Sequence, residues 1–302
     1  MQPHTVTLEI AEEASEARAA PAPSRNTALV RFGRHRLALL GATTIATLVL
    51  ACAIGPLLLP WTDTQIDILH RFQAPGALPH VAGTDQLGRD LLARLLMAGR
   101  ISLAVGFAAM AISTVIGTLI GLVAGFYGGA VGALLMRLVD AVLCFPNVFL
   151  LLTLAAFIST DVFSIILLIA CTTWMEVARI VQGQIRALRE RDFAVAAEAL
   201  GAGDARIMLG ELLPNAMAPI TVSATLIVAQ AILSESYISY LGYGIQPPTP
   251  SWGNMLDGAQ SYLTSAPWLA LLPGGLIAVA VLSFNFLGDG LRDALDPRMG
   301  GR

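Results

Sequence analysis

Six apolar runs dominate this chain, each close to the roughly 20 residues that a helix needs to cross a hydrocarbon core. They are Leu37–Leu59, Ile101–Phe126, Leu138–Ile158, Val162–Val181, Pro214–Leu241 and Pro267–Leu287. In lipid every backbone amide must find a partner within the protein, and a helix supplies its own, so the expected fold class is an all-α integral membrane protein. Composition agrees: 56% hydrophobic residues and a mean hydropathy of +0.71 exceed what a soluble domain of 302 residues carries, and 13% charged residues fall well below it. The first run is longer than a signal-peptide core and follows a tail of 36 residues, so it reads as a retained span. The tail, residues 1–36, has no sustained apolar face and is expected to be cytoplasmic and largely disordered.

Arginine placement sets the expected direction of the spans. With the N-terminus in the cytoplasm, only Arg71, Arg89, Arg94 and Arg100 fall outside, and the other 14 of the 18 Arg fall inside. The positive-inside rule then puts both termini in the cytoplasm. Every basic residue counted here is Arg, because the sequence has no Lys. A P-loop needs a Lys to reach the terminal phosphates, so this chain cannot contain one. No nucleophile, base and orienting group occur together, which leaves no enzyme reading.

A polar, helix-prone stretch, "RDFAVAAEALGAGDARIMLGELLPN" from Arg191 to Asn215, interrupts the apolar pattern on the cytoplasmic side. Asp192 is expected to cap a short helix through Leu200, Gly201-Ala-Gly203 to break it, and Asp204 to cap a second. Pro214 then begins the fifth span, where a missing N–H costs nothing. The residues alone fit two readings: an amphipathic connector at the lipid interface, or a docking element for a cytoplasmic partner.

Charges near the spans suggest local pairs. Glu176 with Arg179, and Arg137 with Asp140, are three apart and can face one another on a helix. Glu235 follows 20 uncharged residues, Asn215 to Ser234, and fits either a hydrogen-bonded packing role or the lining of a pathway. In "GTDQLGRD", Thr84 or Asp85 can cap a helix, and Asp85, Arg89 and Asp90 supply charge around Gly88. Pro247, Pro248 and Pro250 hold their loop extended, and Trp252 can anchor at the headgroup level. His4, His35, His70 and His80 are scattered along the chain, and Cys52, Cys144 and Cys171 lack ligand spacing, so no metal site is expected. The span centres hold few carboxylates or His, which disfavours an ion-coupled secondary transporter, and no filter sequence suggests a passive channel.

Ala196-Ala197-Glu198-Ala199-Leu200-Gly201 followed by Leu213-Pro214 resembles the "EAA...G...LP" cytoplasmic loop of ABC importer permeases. Val195 stands where the general motif has its Glu, and Glu198 falls at a variable position. The stretches Gly83–Gly106, Ala124–Leu152, Ser239–Leu256 and Phe284–Arg298 are similar to C-type permease subunits of dipeptide, oligopeptide and nickel importers. The resemblance implies the type I ABC importer permease (MetI-like) fold, with six spans over residues 37–298 and coupling helices at 192–213. It implies ATPase coupling through Ala196, Ala197, Glu198, Ala199, Gly201, Asp204, Leu213 and Pro214. It also implies a binding-protein-facing surface that includes Asp85, Gly88, Arg89, Asp90 and Trp252, and a translocation path that includes Glu235. Expected partners are a homologous B-type permease, two ATPases of D- and F-type or one fused chain, an extracytoplasmic substrate-binding protein and membrane lipid, with no nucleic acid. ATP and Mg would sit on the ATPases, and no cofactor on this chain. The cargo is expected to be di- or oligopeptides, with nickel chelates as the alternative.

Overall fold

The computed structural model describes residues 25–158 and 161–295, which are helical with no strand among them. Helices α1 (Arg25–Arg34) and α2 (Arg36–Leu58) are followed by a long loop, then α3 (Leu91–Tyr127), α4 (Gly129–Leu143), α5 (Asn147–Ala155) and α6 (Val162–Arg189). A short helix α7 (Asp192–Ala199) precedes α8 (Asp204–Tyr240), α9 (Trp252–Leu256) and α10 (Trp268–Leu295). Residues 1–24 lie outside the described residues. Arg25–Arg34, expected within the disordered tail, is helical and packs against α10, and His35 then caps α2 by accepting from the Ala38 amide at 3.1 Å.

Five helices are long and apolar enough to cross a membrane, and the third expected span is not one of them. It is split into α4 and α5, bent by 81°. The cause is local: Pro146 has no N–H to give and disfavours helical backbone at Phe145, so the helix stops and restarts. The pair still makes a crossing. Gly117, Gly121 and Gly125 of α3 meet Trp174–Val177, Ala178–Val181 and Gln182–Ile185 of α6 in the same order, so α3 and α6 run parallel. The chain must therefore return between them, and α4–α5 is the return.

Those three glycines also explain how α3 and α6 come so close. A Cβ on Gly117 would lie 2.5 Å from the Trp174 carbonyl oxygen, and one on Gly121 2.5 Å from that of Ala178. Small residues every fourth position let helix backbones touch where lipid supplies no hydrophobic drive. Ser113 and Thr173 add a hydroxyl contact of 2.6 Å across the same interface.

The second expected span begins ten residues early, at Leu91. Asp90, not Thr84 or Asp85, caps it, with Oδ1 accepting from the Ala93 amide at 2.7 Å. Arg100 does not end the helix because its head leaves for α2, where Nε donates to the Cys52 carbonyl at 2.7 Å. Pro56 lies four residues beyond Cys52 and has no N–H, so Arg100 supplies the hydrogen bond that α2 lacks there.

The expected i,i+3 ion pairs do not form. Arg179 of α6 pairs with Asp140 of α4 instead, across the helix interface, and Glu176 accepts from Gln230 of α8 at 3.5 Å. Packing chose these longer-range partners, and with both side chains of the Asp140–Arg179 pair more than half exposed within this chain, the exchange costs little.

Candidate functional site

The polar segment is built at the end of the bundle where α3 and α6 finish. Helix α7 closes with a Schellman turn: the Ala202 amide reaches the Ala197 carbonyl at 3.0 Å and the Gly201 amide reaches Glu198 at 2.9 Å. Gly201 takes φ +80°, a left-handed value that glycine adopts without strain. The expected aspartate caps are displaced. Arg191 and Gly203 occupy the N-cap positions, and Asp192 and Asp204 are the first helical residues, where a negative charge still favours the helix dipole. Asp204 lies beside the Tyr127 hydroxyl at the end of α3. Arg189 of α6 donates to the Phe126 carbonyl and lies over the Phe126 ring at 4.8 Å.

Pro214 stands in the first turn of the regular α-helix Leu213–Tyr240, as expected. It lies within α8, which runs unbroken for 37 residues, or about 55 Å at 1.5 Å per residue. A π-helical stretch, Ile207–Leu212, precedes it, and the Leu213 amide reaches back five residues to Met208. That wider register receives a proline that cannot donate and whose ring would crowd the carbonyl four residues earlier.

One side of this segment is anchored and the other is bare. Ala194, Ile207 and Leu212 are buried against Val181, Ile185 and Leu188 of α6. Ala196, Glu198, Ala199, Gly201, Asp204 and Pro214 are exposed, Ala197 and Leu213 are half-buried, and Leu200 is 88% exposed. Most of the expected coupling residues are therefore solvent-exposed in this chain, those of α7 around the Gly201 turn among them.

At the opposite end, Glu235 is fully buried in a serine cage. Ser102 of α3 donates to Oε2 at 3.0 Å and Ser239 donates to Oε1 at 2.8 Å, with Ser251 close to the carboxylate. Ser102 and Ser239 in turn accept from the amides of Trp252 and Ile245, so their single hydrogens are committed to the carboxylate. Of the two readings of Glu235, this geometry is that of packing: the side chain ties α3, α8 and the loop into α9 together. Trp252 is no headgroup anchor, because it is 0% exposed and its Nε1 donates to the Leu95 carbonyl at 3.0 Å.

The residues expected to face a binding protein are likewise turned inward. Asp85 is 4% exposed, and its Oδ1 accepts from the amides of Leu87 and Arg89 while Oδ2 meets Arg89 Nε at 2.7 Å and Arg94 Nε at 3.6 Å. Gly88 is buried with φ +78°, and a Cβ there would overlap the Asp67 carbonyl. Asp90 is buried, and the Arg89 side chain is 15% exposed. They organise the loop from within, and its outer surface is made by Ile68, Leu69, Leu78 and Val81.

Two of the four histidines, scattered in the sequence, come together in the fold. His70 and His80 converge with Asp67, whose carboxyl the His70 ring holds below its ordinary range. Nine residues of intervening loop hide the meeting of His70 and His80 from any local pattern. His35 remains apart as a helix cap, and His4 lies outside the described residues.

Residues 117–301 match the family model described as the binding-protein-dependent transport system inner membrane component. The chain belongs to that family. Residues 26–75 of this permease also match the N-terminal transmembrane domain of oligopeptide transport permease C, which agrees with the C-type resemblance. It is 42% identical over 270 residues to a putative peptide permease protein of Brucella suis biovar 1 (strain 1330), covering 89% of each chain. It is 38% identical over 272 residues to the dipeptide transport system permease protein of Alkalihalophilus pseudofirmus, covering 90% of this chain and 89% of that one. The oligopeptide transport system permease protein of Bacillus subtilis (strain 168) is 35% identical over 272 residues, with the same coverage.

Proposed function

We propose that this permease is the C-type membrane subunit of an ABC importer that carries di- or oligopeptides across the cytoplasmic membrane by alternating access. The observation that carries the mechanism is the protruding Gly201 turn, fixed at its base and joined directly to the 37-residue α8. A partner that grips Ala196–Leu200 pulls on α8 through the short Schellman turn that joins the end of α7 to its start. The peptide cargo is supported by the dipeptide and oligopeptide permeases among the relatives.

In this reading both termini and the Gly201 turn face the cytoplasm, where two ATPase subunits carry ATP and Mg. A homologous B-type permease completes the path, and an extracytoplasmic binding protein delivers the peptide to the face formed by the 60–90 loop and α9. The absence of Lys supports nucleotide binding on another chain. Uptake of labelled di- and oligopeptides should fail in a strain lacking this permease and return on complementation. Gly201→Val, which strains the left-handed turn, should keep the assembled complex and its ATP hydrolysis while abolishing uptake. Normal uptake by that variant would reduce α7 to an interfacial connector.

A further inference from the structure

We infer that Asp67, His70 and His80 form a binding site for a divalent transition metal ion of the zinc class, on the face opposite the Gly201 turn. One oxygen or nitrogen from each residue lies within 4.8 Å of the others. Asp67 Oδ2 stands 2.7 Å from His70 Nδ1 and 3.7 Å from His80 Nε2. Bonds of about 2.0–2.2 Å to a tetrahedral ion would need ligand atoms about 3.3 Å apart, which small side-chain shifts supply.

His80 carries the inference. Its side chain is 1% exposed, and Nδ1 lies 2.9 Å from Oδ2 of the buried Asp90. A carboxylate only accepts, so the Nδ1 hydrogen points there, and in the neutral ring Nε2 carries the lone pair. That Nε2 is buried and has no hydrogen-bond partner. It faces Asp67 Oδ2, another acceptor, across a gap too long for a hydrogen bond. A buried, unpartnered imidazole nitrogen turned toward a half-buried carboxylate oxygen is an arrangement that a cation between them would satisfy. A carboxylate behind a ligating imidazole, fixing its tautomer and raising its basicity, is the usual support of such an ion.

The rest of the loop prepares the same geometry. Asp67 Oδ1 caps the short turn Ile68–His70 by accepting from the Leu69 amide at 3.2 Å, so Oδ2 is the oxygen turned toward both His70 and His80. His70 enters through Nδ1 once its hydrogen moves to Nε2 on the exposed side of the ring, so no net proton need be released. Trp61 lies against the His80 ring with centroids 4.5 Å apart and shields one side. Two imidazoles and one carboxylate suit zinc, cobalt or nickel better than magnesium or calcium, and leave a fourth position for water. The bound ion would clamp the 67–80 loop to Asp90 at the head of α3.

The test uses the purified full-length permease in nanodiscs, stripped with chelator and titrated with Co2+ alone, then with Zn2+ as competitor. The expected result is one Co2+ per chain with the intense visible d–d bands of four-coordination, displaced by Zn2+. His70→Ala, at a side chain 44% exposed, should fold normally and weaken binding by at least about 10–100-fold. His80→Gln should do the same, and Zn2+ should raise the unfolding temperature of the wild type but not of His70→Ala. No saturable Co2+ band in the wild type, or equal binding by His70→Ala, would overturn the site.

Discussion

Ser102 stands between two partners, donating to the Glu235 carboxylate at 3.0 Å and accepting from the Trp252 amide at 3.1 Å. One hydroxyl thus joins α3 to α8 and to the start of α9. Ser102→Ala removes a donor from a buried carboxylate and leaves a buried amide unpaired. It should lower stability by about 1–3 kcal/mol per group left without a partner, measured by thermal unfolding in detergent. Glu235→Gln, which retains the shape and one acceptor oxygen, should cost less than Glu235→Ala. The reverse order would argue that the carboxylate acts on cargo and not on packing.

Gly121 is the centre of the α3–α6 contact, where an added Cβ meets backbone. Gly121→Leu should prevent close packing and cost more than the ~1–3 kcal/mol of ordinary overpacking. Gly183 on α6 has open space around it, so Gly183→Leu is the control and should insert and unfold like the wild type. Equal behaviour of the two variants would remove the glycine stripe as a packing device.

Arg100 and Pro56 make a compensated pair through the Cys52 carbonyl. Arg100→Met should destabilise the end of α2 by about 1–3 kcal/mol, because that carbonyl loses its donor. Adding Pro56→Ala restores an amide at the right position and should recover much of the loss. A double-mutant cycle with no coupling would show that Arg100 contributes only through charge or packing.

Arg89 separates structural from docking roles on the 60–90 loop. Its Nε holds Asp85 Oδ2 at 2.7 Å in a nearly buried pair. Arg89→Ala should lower the unfolding temperature of the isolated permease as well as peptide uptake. Loss of uptake with unchanged stability would return Arg89 to the surface that meets the binding protein.

The helices and the coupling turn were legible in the sequence because their signals are local. Apolar length marks a span, and "EALGAG" marks a helix end with a left-handed turn. Other features depend on what a residue meets far along the chain. Asp140 has Arg137 on its own helix yet pairs with Arg179, and Trp252 reads as an interfacial aromatic until Leu95 and Ser102 close around it. His80 needs Asp67 and Asp90 from either side of a loop. The glycine stripe is different: Gly117, Gly121 and Gly125 stand at a regular interval of four, a signal present in the residues that apolar counting passes over. The Pro146 break was equally available, since a proline within an apolar run interrupts it whatever the mean hydropathy.

In α8, the two prolines, Pro214 and Pro219, and the π-helical turns that could bend it lie in the half nearest the Gly201 turn, whereas the Glu235 end is clamped by Ser102 and Ser239. Compliance is thus concentrated at the joint and stiffness at the load. In the proposed cycle such a beam behaves as a seesaw, so the opening of one face and the closing of the other are a single displacement and need no messenger between them.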